Sequence, residues 1–118
     1  MIYYHATSAA NIPAIMRHGL EPRCEGCVGL NKNRPGVYMW GNYLNAHQYA
    51  KAHWNNELAA VIVVDIEPEY EHEYPIVRDP EYWSDEAFIC PVTIAPGRLT
   101  PIKLGTSRVC EAIFAGAN

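Results

Sequence analysis

The chain has 118 residues, 49% of them hydrophobic, and a formal net charge of −4. That is enough apolar material for one core and too little for two, so a single domain over residues 1–118 is expected. No run approaches the roughly 20 consecutive apolar residues of a membrane helix, and the start lacks the regions of a secretory signal, so no membrane partner and a cytoplasmic location are expected.

In chain order, Ile2 to Thr7 is apolar, aromatic and free of breakers, which predicts a strand. Its alternation sends Tyr3, His5 and Thr7 to one face and Ile2, Tyr4 and Ala6 to the other. Ser8 or Asn11 can cap a helix through Ile12, Ile15 and Met16, with Pro13 tolerated in its first turn and Gly19 as its stop. Residues 20–35 show no sustained period and read as a long functional loop. Val37 to Trp40 predicts a strand, and Asn45 to Trp54 a helix with Ala46, Tyr49, Ala50 and His53 on one stripe.

Ala59 to Ile66 is a near-continuous Val/Ile run, as in a strand buried on both faces. Glu67 to Tyr82 is acidic, aromatic and broken by Pro68, Pro75 and Pro80, which suits an exposed excursion. Glu86–Thr93, Leu99–Leu104 and Val109–Phe114 complete the strand candidates. Strands concentrated late, with helices early, give an α+β class.

Charge is unevenly spread. Nine of the thirteen acids lie between Asp65 and Glu86, while Arg17, Arg23, Lys32 and Arg34 gather before position 35. The acidic balance argues against nonspecific binding along a phosphate backbone, although the basic stretch can meet a local pyrophosphate. Cys24 and Cys27 have the spacing of half a zinc site, but no second Cys or His pair completes four ligands, so no metal is expected. Cys90 sits in an apolar run, and reduced thiols are expected throughout.

Several chemistries are excluded by absent motifs. There is no Gly-x-Gly-x-x-Gly, no phosphate-binding Gly-x-x-x-x-Gly-Lys, no His-Glu-x-x-His and no Gly-x-Ser-x-Gly. What remains is a set of three stretches: Tyr4-His5-Ala6-Thr7-Ser8, Gly36-Val37-Tyr38-Met39 with Tyr49 beyond it, and Glu86-Ala87-Phe88-Ile89.

Together these stretches resemble the His-Tyr-Glu branch of the ADP-ribosyltransferase superfamily, which includes the poly(ADP-ribose) polymerases and diphtheria toxin. The resemblance runs from Tyr4 to about Leu104. It implies split mixed β-sheets with one or two helices and a cleft for NAD as co-substrate. By the same resemblance His5 contacts the adenosine-side ribose, the backbone of Ala6 and the neighbouring Thr7 help hold the dinucleotide, and Tyr38 and Tyr49 sandwich the nicotinamide. Glu86 is the implied catalytic carboxylate, and Arg23 or Arg34, in the loop after the first helix, the implied pyrophosphate contacts. Two positions depart from the pattern: Ala6 replaces a glycine, and Ala46 replaces a small hydroxyl residue three before Tyr49.

The chemistry assigned to Glu86 stands on its own physical footing. Cleaving the ribose–nicotinamide bond develops an oxocarbenium ion, and one fixed carboxylate beside it is worth about 3 kcal/mol of barrier. The expected protein is a monomeric, free-standing ADP-ribosyltransferase, as in an effector or toxin, acting on a macromolecular acceptor. The acidic Glu67–Glu73 stretch favours a protein with basic residues over nucleic acid. Two alternatives share the fold: an RNA 2′-phosphotransferase relative, disfavoured by the low basic count, and a binding module without catalysis, which Ala6 and Ala46 keep open.

Overall fold

Six strands, two α-helices and three short 3-10 turns form the computed structural model, which describes residues 1–22, 35–55, 58–79 and 86–104. The expected strand at 109–114 and most of the loop at 20–35 lie outside the described residues.

Strand β1 (Ile2–Ser8) matches its prediction to within one residue. Ser8 stays extended and its Oγ accepts from the Ala10 N–H at 3.3 Å, which turns the chain through a 3-10 turn into helix α1 (Ile12–His18). Gly19 ends α1 with φ 87°, a left-handed conformation, while its N–H donates to the Ile15 carbonyl at 2.7 Å. A side chain there would also run into the Ile94 carbonyl oxygen.

Strand β2 (Val37–Trp40) leads into helix α2 (Tyr43–His53), which starts two residues earlier than expected. The reason is Asn42, whose Oδ1 accepts from the N–H groups of Leu44 at 2.8 Å and Asn45 at 3.4 Å. Strand β3 (Ala59–Asp65) follows, then a 3-10 turn at Pro68–Glu73 and the two-residue β4 (Val77–Arg78). Strands β5 (Ala87–Cys90) and β6 (Leu99–Lys103) complete the sheet, with a 3-10 turn at Pro96–Arg98 between them.

The strands form one sheet in the order β4-β5-β2-β1-β3-β6. Every neighbouring pair is antiparallel, which corrects the expectation of two mixed sheets. The reason is topological: β2 and β3 run in the same direction, as in a parallel crossover, but β1 lies between them.

Pairing across the sheet is uneven. Strand β1 pairs β3 from Ile2 to Ser8, and β2 pairs β5 from Val37 to Trp40, whereas β1 and β2 share only Tyr4↔Trp40. The sheet is therefore two three-stranded ladders, β4-β5-β2 and β1-β3-β6, meeting at a narrow seam.

Alternation along the strands builds a core on each face. On one, Tyr3, Val37, Met39, Ile62, Val64 and Cys90 pack beneath Ile12, Ile15 and Met16 of α1. On the other, Ala6, Trp40, Ala59 and Val61 meet Ala46 and Ala50 of α2, both fully buried. The small side chains on both sides let the helix lie close to the sheet. Central strand β3 is buried on both faces, as its Val/Ile run predicts.

Candidate functional site

The seam between β1 and β2 holds the first two of the sequence-predicted site residues. The imidazole Nδ1 of His5 lies 2.7 Å from the backbone carbonyl oxygen of Tyr38. A carbonyl only accepts, so Nδ1 carries the proton and donates, and in the neutral ring Nε2 carries the lone pair. Burial pushes the His5 pKa below its ordinary 6.5, partly offset by the bond to Tyr38, so the neutral ring is favoured. Nε2 has no hydrogen-bond partner among the described residues.

Ala6 and Thr7 follow His5 on β1, both buried. Thr7 Oγ1 accepts from the Asn11 Nδ2 at 3.2 Å, which ties the end of β1 to the start of α1. Tyr38 is half-buried on β2, its side chain on the α2 face because Val37 and Met39 take the α1 face. The ring of Tyr49 on α2 lies against Trp40 at 4.6 Å and against His53 at 4.1 Å. Tyr38, Trp40 and Tyr49 thus share the α2 side of the sheet.

Glu86 stands immediately before β5, exposed to solvent. Its carbonyl accepts from the Gly41 N–H at 2.8 Å, which fixes it beside the far end of β2. A Cβ on Gly41 would lie 3.2 Å from Glu86 Oε2 and 3.0 Å from Phe88 Cε2, so the bare glycine makes room for the carboxylate. Phe88 in turn meets Tyr3 edge-on at 5.1 Å. Glu86 therefore shares the α1 side with Tyr3, and His5 lies on the same strand face as Tyr3.

His5 is thus bound to the Tyr38 carbonyl within the β1–β2 seam, Glu86 stands across β2 from that seam, at the start of β5, and the aromatic group of Tyr38, Trp40 and Tyr49 lies on the opposite face. Arg23 and Arg34, expected to meet a pyrophosphate, lie outside the described residues, as do Lys32, Cys24 and Cys27. Sequence reasoning missed Trp40 and Gly41. Trp40 was legible as the residue two beyond Tyr38 on the same strand face, whereas Gly41 becomes meaningful only once β5 is paired with β2.

Electrostatics around the α1 face come from the acidic turn at Pro68–Glu73. Burial pushes the Tyr3 pKa up, helped by the charge of Glu71 and by Cys90. Burial also pushes the Cys90 thiol up, so it behaves as a core residue. The turn is anchored by Arg98, whose guanidinium lies 3.7 Å over the Tyr70 ring. Among the described residues no three His, Cys, Asp or Glu side chains gather as a metal site, and no helix is long and apolar enough to cross a membrane.

No protein-family model matches this chain, and no curated protein sequence matches it.

Proposed function

We propose that this protein is an NAD-dependent mono-ADP-ribosyltransferase that moves ADP-ribose to a macromolecular acceptor and releases nicotinamide. The observation that supports the reading most is the seam. Strands β1 and β2 share one residue pair, His5 bonds the Tyr38 carbonyl across that seam, and Glu86 stands one strand further out beside Gly41, so the stretches that resemble the His-Tyr-Glu pattern lie on three adjacent strands.

In this reading His5 is held by Tyr38 as a hydrogen-bond acceptor for a ribose hydroxyl. The aromatic side chains of Tyr38 and Tyr49 supply faces for a flat cationic ring, with Trp40 supporting Tyr49. Glu86 supplies the carboxylate for the sugar cation, steadied by its backbone bond to Gly41; it stands on the α1 side and the Tyr38 and Tyr49 rings on the α2 side, so in this reading the ligand reaches both around the end of β2. The Ala6 backbone retains its polar groups despite the missing glycine.

The acidic turn supports a protein acceptor with basic residues. Its Glu71 acts on Tyr3, which touches Phe88, two residues from Glu86, so the turn's negative charge lies on the catalytic side of the sheet. An acceptor arginine or lysine would be drawn there.

A second reading, a module that binds NAD or ADP-ribose without turning it over, is favoured by one observation. Ala46 is fully buried in the contact between α2 and the sheet, so the helix offers no hydroxyl at that position. Adenylate-labelled NAD incubated with the protein and a cell lysate separates the two. The transferase reading expects label on protein bands, and labelled NAD that binds but marks no macromolecule would favour the module.

A further inference from the structure

We propose that Gly41 positions the Glu86 carboxylate: the missing side chain lets Glu86 fold back over the end of β2, and a side chain at position 41 turns the carboxylate outward. The inference rests on the reading of Glu86 as the carboxylate of the transferase, and it adds a residue that acts through it.

The pairing of β2 with β5 runs to Trp40↔Ala87, so Gly41 and Glu86 are the next pair beyond it, and the Gly41 N–H donates to the Glu86 carbonyl at 2.8 Å. Directly opposed residues of an antiparallel pair send their side chains to one face, with the diagonal neighbour also within reach. For Gly41 those neighbours are Glu86 and Phe88. A Cβ on Gly41 would lie 3.2 Å from Glu86 Oε2 and 3.0 Å from Phe88 Cε2, so the tip of the carboxylate and the edge of the ring converge on the space a side chain would fill. The carboxylate thus leans onto the end of β2, the strand that carries Tyr38.

Backbone conformation does not explain the glycine. Among the described residues only Gly19 has a positive φ, and there the left-handed turn itself calls for glycine. Gly36 is closed in by Ile89, a buried core side chain that a Cβ would meet at 2.5 Å. Gly41 differs from both, because one of the two groups that crowd it is the end of an exposed, flexible side chain. The close approach at position 41 involves the very group on which the proposed chemistry depends.

Packing decides which neighbour gives way. Phe88 meets Tyr3 edge-on at 5.1 Å, and Tyr3 is buried in the core beneath α1, so the ring cannot retreat without disturbing that contact. The Glu86 carboxylate ends a flexible stem in an exposed place and moves at little cost. A methyl group at position 41 therefore leaves the fold intact and swings Oε2 away from β2. A shift of about 1 Å is enough to cost rate when a fixed charge must lie beside a developing cation.

The test is steady-state nicotinamide release from labelled NAD by the native protein, Gly41→Ala, Glu86→Gln and the double variant, with an unfolding midpoint for each. Gly41→Ala should lose about tenfold or more in kcat, with KM for NAD within about twofold and the midpoint unchanged. In the Glu86→Gln background the same substitution should change kcat by less than about twofold, because the charge it misplaces is already gone. An unchanged kcat in Gly41→Ala, an equal loss in both backgrounds, or a Gly41→Ala protein that fails to fold overturns the proposal while leaving the transferase reading in place. Native protein that releases no nicotinamide, or Glu86→Gln that releases it as fast as the native protein, overturns the transferase and the positioning role together.

Discussion

At the residue scale, His5 shows how a side chain can be legible in type and illegible in state. Its place on a strand face follows from alternation along Ile2–Thr7, but its tautomer depends on the Tyr38 carbonyl 33 positions away, which no local pattern reveals. The state has a thermodynamic consequence. The unfolded chain takes up a proton near pH 6.5 and the folded chain only at lower pH, so the unfolded state binds more protons between the two values. The stability contributed by the buried neutral ring is therefore complete above pH 6.5 and declines as pH falls toward the lowered value. Thermal unfolding should accordingly show the native protein losing stability relative to His5→Gln between about pH 7 and about pH 5. A difference that stays flat or widens in the opposite sense would contradict this assignment.

Ala46 carries a second residue-scale prediction. The substitution Ala46→Ser restores the hydroxyl that the resemblance expects, and in a helix that hydroxyl can bond the carbonyl four residues back, which belongs to Asn42. The cost in stability should stay within about 1 kcal/mol, with KM for NAD falling several-fold. A variant that folds but leaves KM unchanged would separate position 46 from the nicotinamide.

At the element scale, the strands were largely readable and the junctions were not. Four residues of β2 and the Val/Ile run of β3 announce themselves through apolar content, and Gly19 marks the end of α1. The start of α2 was misplaced because its first turn, Tyr43-Leu44, lies outside the buried alanine stripe and is fixed instead by the cap at Asn42. Asn42→Ala should cost about 1 kcal/mol in chemical unfolding, in line with a lost side-chain cap. No change would mean the bonds to Leu44 and Asn45 are of little weight.

Mixed sheets are what the resemblance implies, whereas every neighbouring pair in the structure is antiparallel. Here β1 occupies the space between β2 and β3, a long-range choice made by seven pairs between β1 and β3. The same choice leaves the seam with one pair. Amide hydrogen exchange should find β3 among the slowest elements and the Val37–Met39 side of the seam faster than the β1–β3 ladder. Equal protection across both boundaries of β1 would mean that the β1–β2 seam is no weaker than the β1–β3 ladder.

At the scale of the whole molecule, strand pairing is most extensive in the ladder β1-β3-β6, while the candidate chemistry lies toward β4-β5-β2. Ile62 is fully buried at the centre of that ladder, and Ile62→Ala should cost about 3 kcal/mol, a large share of the 5 to 15 kcal/mol typical of such a domain. Ala6 and Thr7 of the candidate site are buried, but Glu86 is exposed, and His5 and Tyr38 are half-buried. That separation makes the decisive experiment feasible, since the carboxylate can be altered without dismantling the fold.

The measurement is steady-state nicotinamide release from labelled NAD by the native protein and by Glu86→Gln, with unfolding midpoints recorded for both. A transferase working as described should lose about a hundredfold or more in kcat on losing the charge, with KM little altered and the midpoint unchanged. Release that proceeds equally well in a folded Glu86→Gln protein would contradict the account.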